Sequence, residues 1–518
     1  MNQNKVKLIV TVIITLFLSI YLGIGAASAQ KEVLNVVGVF VLIAVILGFG
    51  KRIWLLVPLT MLSSLSFRWL PGSWQATDLA FIIALFGSVL LFLTRNLDYK
   101  LKLRSLHFIG FLVFLSVIQV YMRNPVGLAV FGTANIGGRA YFTFGVSVMV
   151  CLMFSVLRVS PREIFTFRKF AVIGGIFTVV VQWLAYVPGL GLPLAIALGT
   201  GNHSFMNEGG PVAGERQMAG RSIAGGDTGR VFSRILVGFT SPLKALFFNW
   251  WALIVLLALL GAMISGFRSQ LGNALLIMTL GVFYWQGFRG VIIGTTIAVL
   301  GLMFIAVINT LIPLPGEVQR ALSFLPGSWE ERWVREGEDS TDWRVDMWKA
   351  ALFSEKWIEN KTFGDGLGFT AEELELQEAM MNQTYNVPGI GNLDSHQVSL
   401  LINGDYHSGP VSFVRAVGYL GLALFWIGQI AIVISSHRLI KSVRGSPYFG
   451  PVLFVCIPAI AHPIGFTFVF GTFSRDIALF FLNIGLLSFL RNNIDFTRLH
   501  QDPRERREAA DEVTNYSR

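Results

Sequence analysis

Charge is scarce in this chain. Only 14% of its 518 residues are Asp, Glu, Lys or Arg, against 53% hydrophobic residues, and a soluble globular domain does not carry that balance. Cysteine is scarcer still. Cys151 and Cys456 are the only two and both fall in apolar stretches, so neither a disulfide nor a metal site is expected. Metal-ligand spacings, a phosphate-cradling glycine loop ahead of a helix and a nucleotide fingerprint are all missing. Nothing therefore supports ATP-driven chemistry or a sugar-nucleotide donor, and no cofactor is expected. The net charge of +10 would suit nucleic acid in a soluble protein. In an apolar one, basic residues mark cytoplasmic loops instead, and no nucleic-acid partner is expected.

Hydrophobic length is abundant. Apolar runs of 17 to 25 residues recur from end to end, each long enough to cross a hydrocarbon core of roughly 30 Å. The expected fold class is an all-α integral membrane protein with about 14 transmembrane helices (12–14) and one large external, mainly helical loop. The runs place helices at 8–27, 33–50, 53–70, 77–94, 106–122, 139–157, 168–187, 230–247, 250–266, 270–286, 290–312, 412–435, 449–470 and 474–491. Four regions follow: a bundle over 1–312 with a Gly-rich external loop at 188–229, a large loop over 313–411, C-terminal spans over 412–491 and a charged tail over 492–518. The first segment also resembles a signal peptide in its basic start and "ASA", but its apolar stretch is long for one, so an uncleaved span is expected.

Charge sets the orientation. "KR" at 51–52, "TRNLDYKLKLR" at 94–104, "LRVSPREIFTFRK" at 157–169 and "HRLIKSVR" at 437–444 are basic and belong in the cytoplasm. Segment 313–411 holds 17 acidic and 7 basic residues, a net of −10, and reads as external, periplasmic in a Gram-negative cell. Both termini are then cytoplasmic, in a multi-pass inner-membrane protein. This parity needs 230–247 to span despite Arg234, Pro242 and Lys244.

Ionisable groups at membrane depth tend to mark sites. On the expected external side stand Arg268 in a short turn, Arg344 on an amphipathic loop helix, Arg216, Arg221 and Arg230 from the Gly-rich stretch, and Arg415 one turn after His407. Guanidinium groups stay charged and grip phosphate bidentately; singly, each also reads as an interfacial snorkeler or a salt-bridge partner. Arg289 falls on the cytoplasmic side and reads as an anchor. A neutral imidazole at His407 could take a proton from a hydroxyl, with Asp405 orienting it, or it could be a capped structural residue. His396 competes for that role, His203 more weakly, and His462, beside Pro463, reads as a packing group.

In these residues the chain resembles the O-antigen ligase and O-antigen polymerase superfamily of membrane glycosyltransferases. "GFRS" supplies Arg268 ahead of two spans; "WRVDMWKAALFSEKWIENKTFGDGLGF" supplies Arg344, Trp348, Gly364, Gly366 and Gly368; and His407 is followed by Gly418 and Gly421. Phe267, Ser408 and Ala416 depart from the family pattern, and the first 200 residues match only as a run of spans. The resemblance implies metal-independent, inverting transfer of a glycan from an undecaprenyl-diphosphate-linked donor to lipid A core or a growing glycan. His407 would be the general base and the arginines would bind the diphosphate. Ligase and polymerase stay open, and a lipid-linked oligosaccharide flippase is the reading from another class, expected to show internal symmetry and interrupted helices.

Overall fold

A computed structural model describes residues 45–496 apart from 68–69, 71–73, 95, 97, 101, 127–137, 201–220, 248–249, 354–356, 369–384, 388–390, 394–399, 403 and 405. The expected helix at 8–27, most of that at 33–50 and the tail from 497 lie outside the described residues. A 3-10 turn, Gly50–Leu55, runs into α1 (Leu56–Thr60). Then come α2 (Ala76–Leu93), α3 (Ser105–Arg123), α4 (Arg139–Val156), α5 (Glu163–Leu184) and α6 (Gly191–Leu198). The next group is α7 (Ile223–Phe239), α8 (Pro242–Ala245), α9 (Trp251–Ile264) and α10 (Arg268–Leu311). The large loop carries α11 (Gly316–Leu322) and α12 (Glu331–Phe353), and the chain closes with α13 (Gly409–Ser442), α14 (Phe449–Ile464) and α15 (Phe473–Asn493). Among the described residues strands are confined to three short antiparallel pairs: β1 (Ser66–Phe67) with β2 (Trp74–Gln75), β3 (Asp98–Tyr99) with β4 (Leu157–Arg158), and β5 (Tyr385–Val387) with β6 (Gly391–Leu393).

Among the described residues, eight helices are long and apolar enough to cross a membrane. They differ in what surrounds them. α15 is central, with 78% of its apolar stretch buried against protein, whereas α10 is peripheral at 6%. Around α15 an aromatic cluster ties the C-terminal helices together: Phe413 stacks on Phe425 at 4.2 Å and on Phe473 at 4.5 Å, and Phe425 meets Phe480 at 5.2 Å.

α10 is a hairpin. Gly287 takes φ +76 and ψ −168, conformations open to glycine alone, and splits the helix into arms 268–286 and 288–311. Leu271 and Ile305 pack in one cluster, yet a straight helix would hold them roughly 50 Å apart. Helical arms therefore cover the expected positions 270–286 and 290–312, joined by this turn.

Three expectations need correction. The span expected at 53–70 stops at Thr60, where Ser63 and Ser64 turn to polar work: the Ser63 hydroxyl accepts from Leu65 N at 3.2 Å, and Ser64 accepts from Gln182 Nε2 at 3.0 Å. The Gly-rich stretch expected to be irregular to residue 229 is helical from Ile223, and α6 interrupts its start. Gly225 and Gly229 of α7 lie against the backbone of Gly261 and Ala262 in α9, closer than a Cβ would allow, the packing that small residues spaced by four permit. Where a span was expected at 230–247, the helix is α7, 17 residues ending at Phe239, and it is not among the eight helices long and apolar enough to cross a membrane. Thr240 is extended at φ −151, and Pro242 opens α8 as a separate helix.

The helix ends sort into two faces. Ser222 N donates to Ser265 O at 3.0 Å, which sets the starts of α7 and α10 beside the end of α9, on the face that carries the large loop. At the other face the Tyr284 hydroxyl meets His437 Nδ1 at 2.9 Å and Trp285 packs on Phe449 at 4.9 Å. That face also carries Arg289, exposed at the Gly287 turn.

Gly418 interrupts α13 at φ +71. Into this break docks the loop segment after α12: Tyr419 N donates to Lys361 O at 2.8 Å and Asp365 N to Arg415 O at 2.6 Å. A Cβ at Gly418 would collide with the Thr362 carbonyl, whereas Gly445, also left-handed at φ +80, has nothing near it. In an alanine series, Gly445→Ala should cost the left-handed penalty of about 1 kcal/mol. Gly418→Ala should cost clearly more, read as a larger drop in unfolding midpoint. Equal drops would mean that this segment does not rest on Gly418.

Candidate functional site

The site is built on the start of α10. Phe267, its N-cap, is extended and offers no side-chain cap, so the first-turn N–H groups present partial positive charge there. Arg268 donates from Nη2 to Ser323 Oγ at 2.6 Å, and its guanidinium lies on Gly337, where a Cβ would strike it. Arg320 donates from Nη1 to Gly266 O at 2.8 Å and from Nε to Glu336 Oε2 at 3.1 Å. Arg221 lies 5.5 Å from the Phe267 ring centroid. Arg344, from α12, bears electrostatically on Arg221 and is itself acted on by Arg320.

Four guanidinium groups from four segments thus converge. Burial, with the repulsion of Arg320 and Arg344, draws Arg221 down to about 10, while Glu336 opposes the shift. Burial likewise lowers Arg320 and Arg344. Among the described residues, Glu336 and Glu338 act on the quartet, and Arg332 shares Glu336 at 3.5 Å. Among the described residues basic groups here outnumber acidic ones, and an anion is what such a cluster can bind.

A cavity of about 390 Å³ adjoins the quartet, lined by Phe267, Ser269, Gln270, Asn273, Arg230, Arg234, His462, Phe470, Arg475 and Asp476 among others. Its polar wall is braced. Arg230 donates to Asp227 Oδ1 at 2.7 Å and to Leu62 O at 2.9 Å, and Arg234 donates to Phe454 O at 3.1 Å. His462 bonds Asp476 Oδ1 through Nε2 at 3.1 Å and Gln429 Nε2 through Nδ1 at 2.9 Å. Both of its ring nitrogens are therefore engaged by protein groups.

His407 sits at the cavity's edge, its ring 5.0 Å from that of Phe470. Its backbone is left-handed at φ +51, the only such non-glycine among the described residues, a conformation that surrounding contacts must enforce. Those contacts are visible: Trp348 Nε1 donates to the Tyr406 carbonyl at 2.7 Å, Tyr406 is wholly buried, and Gly409 abuts Phe466. Gly364, Gly366 and Gly368 all take positive φ, +85, +107 and +78, as the docked loop segment requires of glycine.

Of the arginines singled out by sequence, Arg221, Arg268 and Arg344 meet in the quartet, and Arg230 lines the neighbouring cavity from within α7. Arg415 goes elsewhere. Its side chain lies along Gly404 and hydrogen-bonds the Tyr406 hydroxyl, packing loop onto helix. Arg216, His203, His396 and Asp405 lie outside the described residues. Arg320 was missed: in "GEVQRAL" it reads as solvated, and only its place beside Val318, Ala321 and Leu322 hints at burial. Asp476 was missed too, although an acid opening an apolar run is a signal. Among the described residues no trio of His, Cys, Asp or Glu is placed to hold a metal ion.

Arg320→Gln should weaken sulfate binding about tenfold, the scale of one charge-assisted contact, and Glu336→Gln should strengthen it, both by titration calorimetry. Wild-type affinity should hold from pH 7 to 9 and fall as pH passes 10. The lowered Arg221 value means its charge is lost earlier than that of a solvated arginine. Tighter binding in Arg320→Gln would remove the quartet as an anion site. Comparison with known proteins yields no matching family model and no matching curated sequence.

Proposed function

We propose that the protein transfers a glycan from an undecaprenyl-diphosphate-linked donor to an acceptor hydroxyl in cell-surface polysaccharide synthesis, at the periplasmic face of the inner membrane. The observation that carries this reading is the convergence of Arg221, Arg268, Arg320 and Arg344 around the start of α10, beside a cavity edged by His407. The guanidinium groups hold the diphosphate and stabilise the charge that grows on it as its bond to the anomeric carbon breaks, the kind of preorganised electrostatics that lowers such barriers most. His407 takes the proton from the acceptor hydroxyl, whose oxygen attacks the anomeric carbon from the opposite side and inverts it. The diphosphate is already activated, so no ATP is consumed.

The charge distribution supports the sidedness. The segment with a net charge of −10, residues 313–411, carries three sequence-distant parts of the site, whereas Arg52, Arg104, Arg158, Arg438 and Arg491 fall at the helix ends that mark a cytoplasmic face. The reading also includes the larger bundle of about 14 helices that the hydrophobic runs call for.

His407→Ala should abolish glycan transfer with membrane expression intact, and Arg268→Ala should reduce donor affinity by tenfold or more. Purified protein with a lipid-linked donor tests both. Full transfer by His407→Ala would take this residue out of the mechanism. A deletion strain separates the products: loss of long surface chains with accumulated lipid-linked glycan marks a ligase, and single-repeat chains mark a polymerase.

A further inference from the structure

A second cationic cavity, of about 410 Å³, lies at the opposite end of the bundle. Lys102 and Arg104 line it from the segment entering α3, Arg438 and Ser442 from the end of α13, and Arg491 from the end of α15, with Leu439 and Phe496 as apolar wall. None of the described residues lining it is acidic, and Asp495, next to Phe496, is not among them.

Interfacial anchors would explain basic residues that reach outward into solvent. Two of these are instead held inward. Arg104 donates from Nη2 to Asn492 Oδ1 at 3.2 Å, and Arg491 donates from Nη2 to Ser435 O at 3.0 Å. Arg104 Nε is buried and has no hydrogen-bond partner among the described residues. The charges feel each other as well, since both Arg104 and Arg438 act on Arg491.

Helix dipoles do not cancel them. The C-termini of α13 and α15 bring roughly −0.5 each and the N-terminus of α3 roughly +0.5, so four cationic side chains leave about +3.5 in the cavity. Converging like charges at that density, with a buried donor unspent, call for an anion rather than for solvent.

We infer that this cavity is a binding site for a phosphate group, at the bundle end opposite the arginine quartet. Two sources share that chemistry, the headgroup of an acidic phospholipid and free inorganic phosphate. Basic pockets between helix ends are known to take the first, and Leu439 and Phe496 supply apolar surface beside the charges.

Full-length protein in neutral detergent is titrated calorimetrically with inorganic phosphate, with short-chain phosphatidylglycerol and with short-chain phosphatidylcholine. The test variant combines Lys102→Gln and Arg438→Gln, both exposed side chains, so the fold is retained. The control is Arg289→Gln, an exposed arginine on the same face. The expected result is that the double variant loses one saturable binding event, weakened at least tenfold, that Arg289→Gln retains. Loss of the phosphatidylglycerol event identifies a lipid headgroup, and loss of the phosphate event a free anion. Phosphate held by the opposite quartet persists in the variant, so the two sites are told apart. Undiminished binding of both probes, equal loss in Arg289→Gln, or an equal event with phosphatidylcholine would overturn the proposal.

Discussion

Guanidinium groups gripped by backbone carbonyls are the recurring constraint of this molecule. Arg320 on Gly266 O, Arg230 on Leu62 O, Arg234 on Phe454 O, Arg168 on Gly238 O and Arg491 on Ser435 O repeat one arrangement. Each places a permanent charge at the margin of an apolar bundle, where desolvation without a partner would be costly. A carbonyl offsets part of that cost without cancelling the charge, as a carboxylate would. The charge is offset further only where a carboxylate pairs with it as well, as Asp227 does with Arg230 and Glu336 with Arg320.

Backbone breaks bring the site together. Gly287 folds α10 back, so that its start and its end, where the large loop begins, share one face. Gly418 opens α13 so that the loop segment 361–365 can hydrogen-bond into the helix. Neither break has a proline. Both use a left-handed glycine, which supplies a sharp change of direction while leaving every N–H able to donate.

The two ends of the bundle are chemically different anion environments. At the loop-bearing end, arginines from four segments meet beside a cavity that already contains one buried acid, Asp476, tied to His462. At the other end, basic side chains sit on helix termini around a smaller set of contacts, with no acid lining the space among the described residues. The first suits a group that changes charge during reaction. The second suits a static phosphate.

Hydrophobic run length by itself pointed to helices able to cross a membrane, because a helix satisfies its own backbone hydrogen bonds in apolar solvent. Arg268, Arg344 and the Arg221 region were also visible, since charge in so apolar a chain stands out. Tertiary structure alone decided the rest. It made the end of the Gly-rich stretch, from Ile223, part of α7, because glycines that look irregular in isolation permit backbone contact with α9. It drew Arg320 inward from a helix that reads as solvated, and sent Arg415 to Tyr406 instead of to the quartet. Residue type reports what a side chain can do; which neighbours it meets depends on contacts the fold makes between separate segments, as between Arg320 and Gly266, 54 residues apart, and no local pattern encodes those.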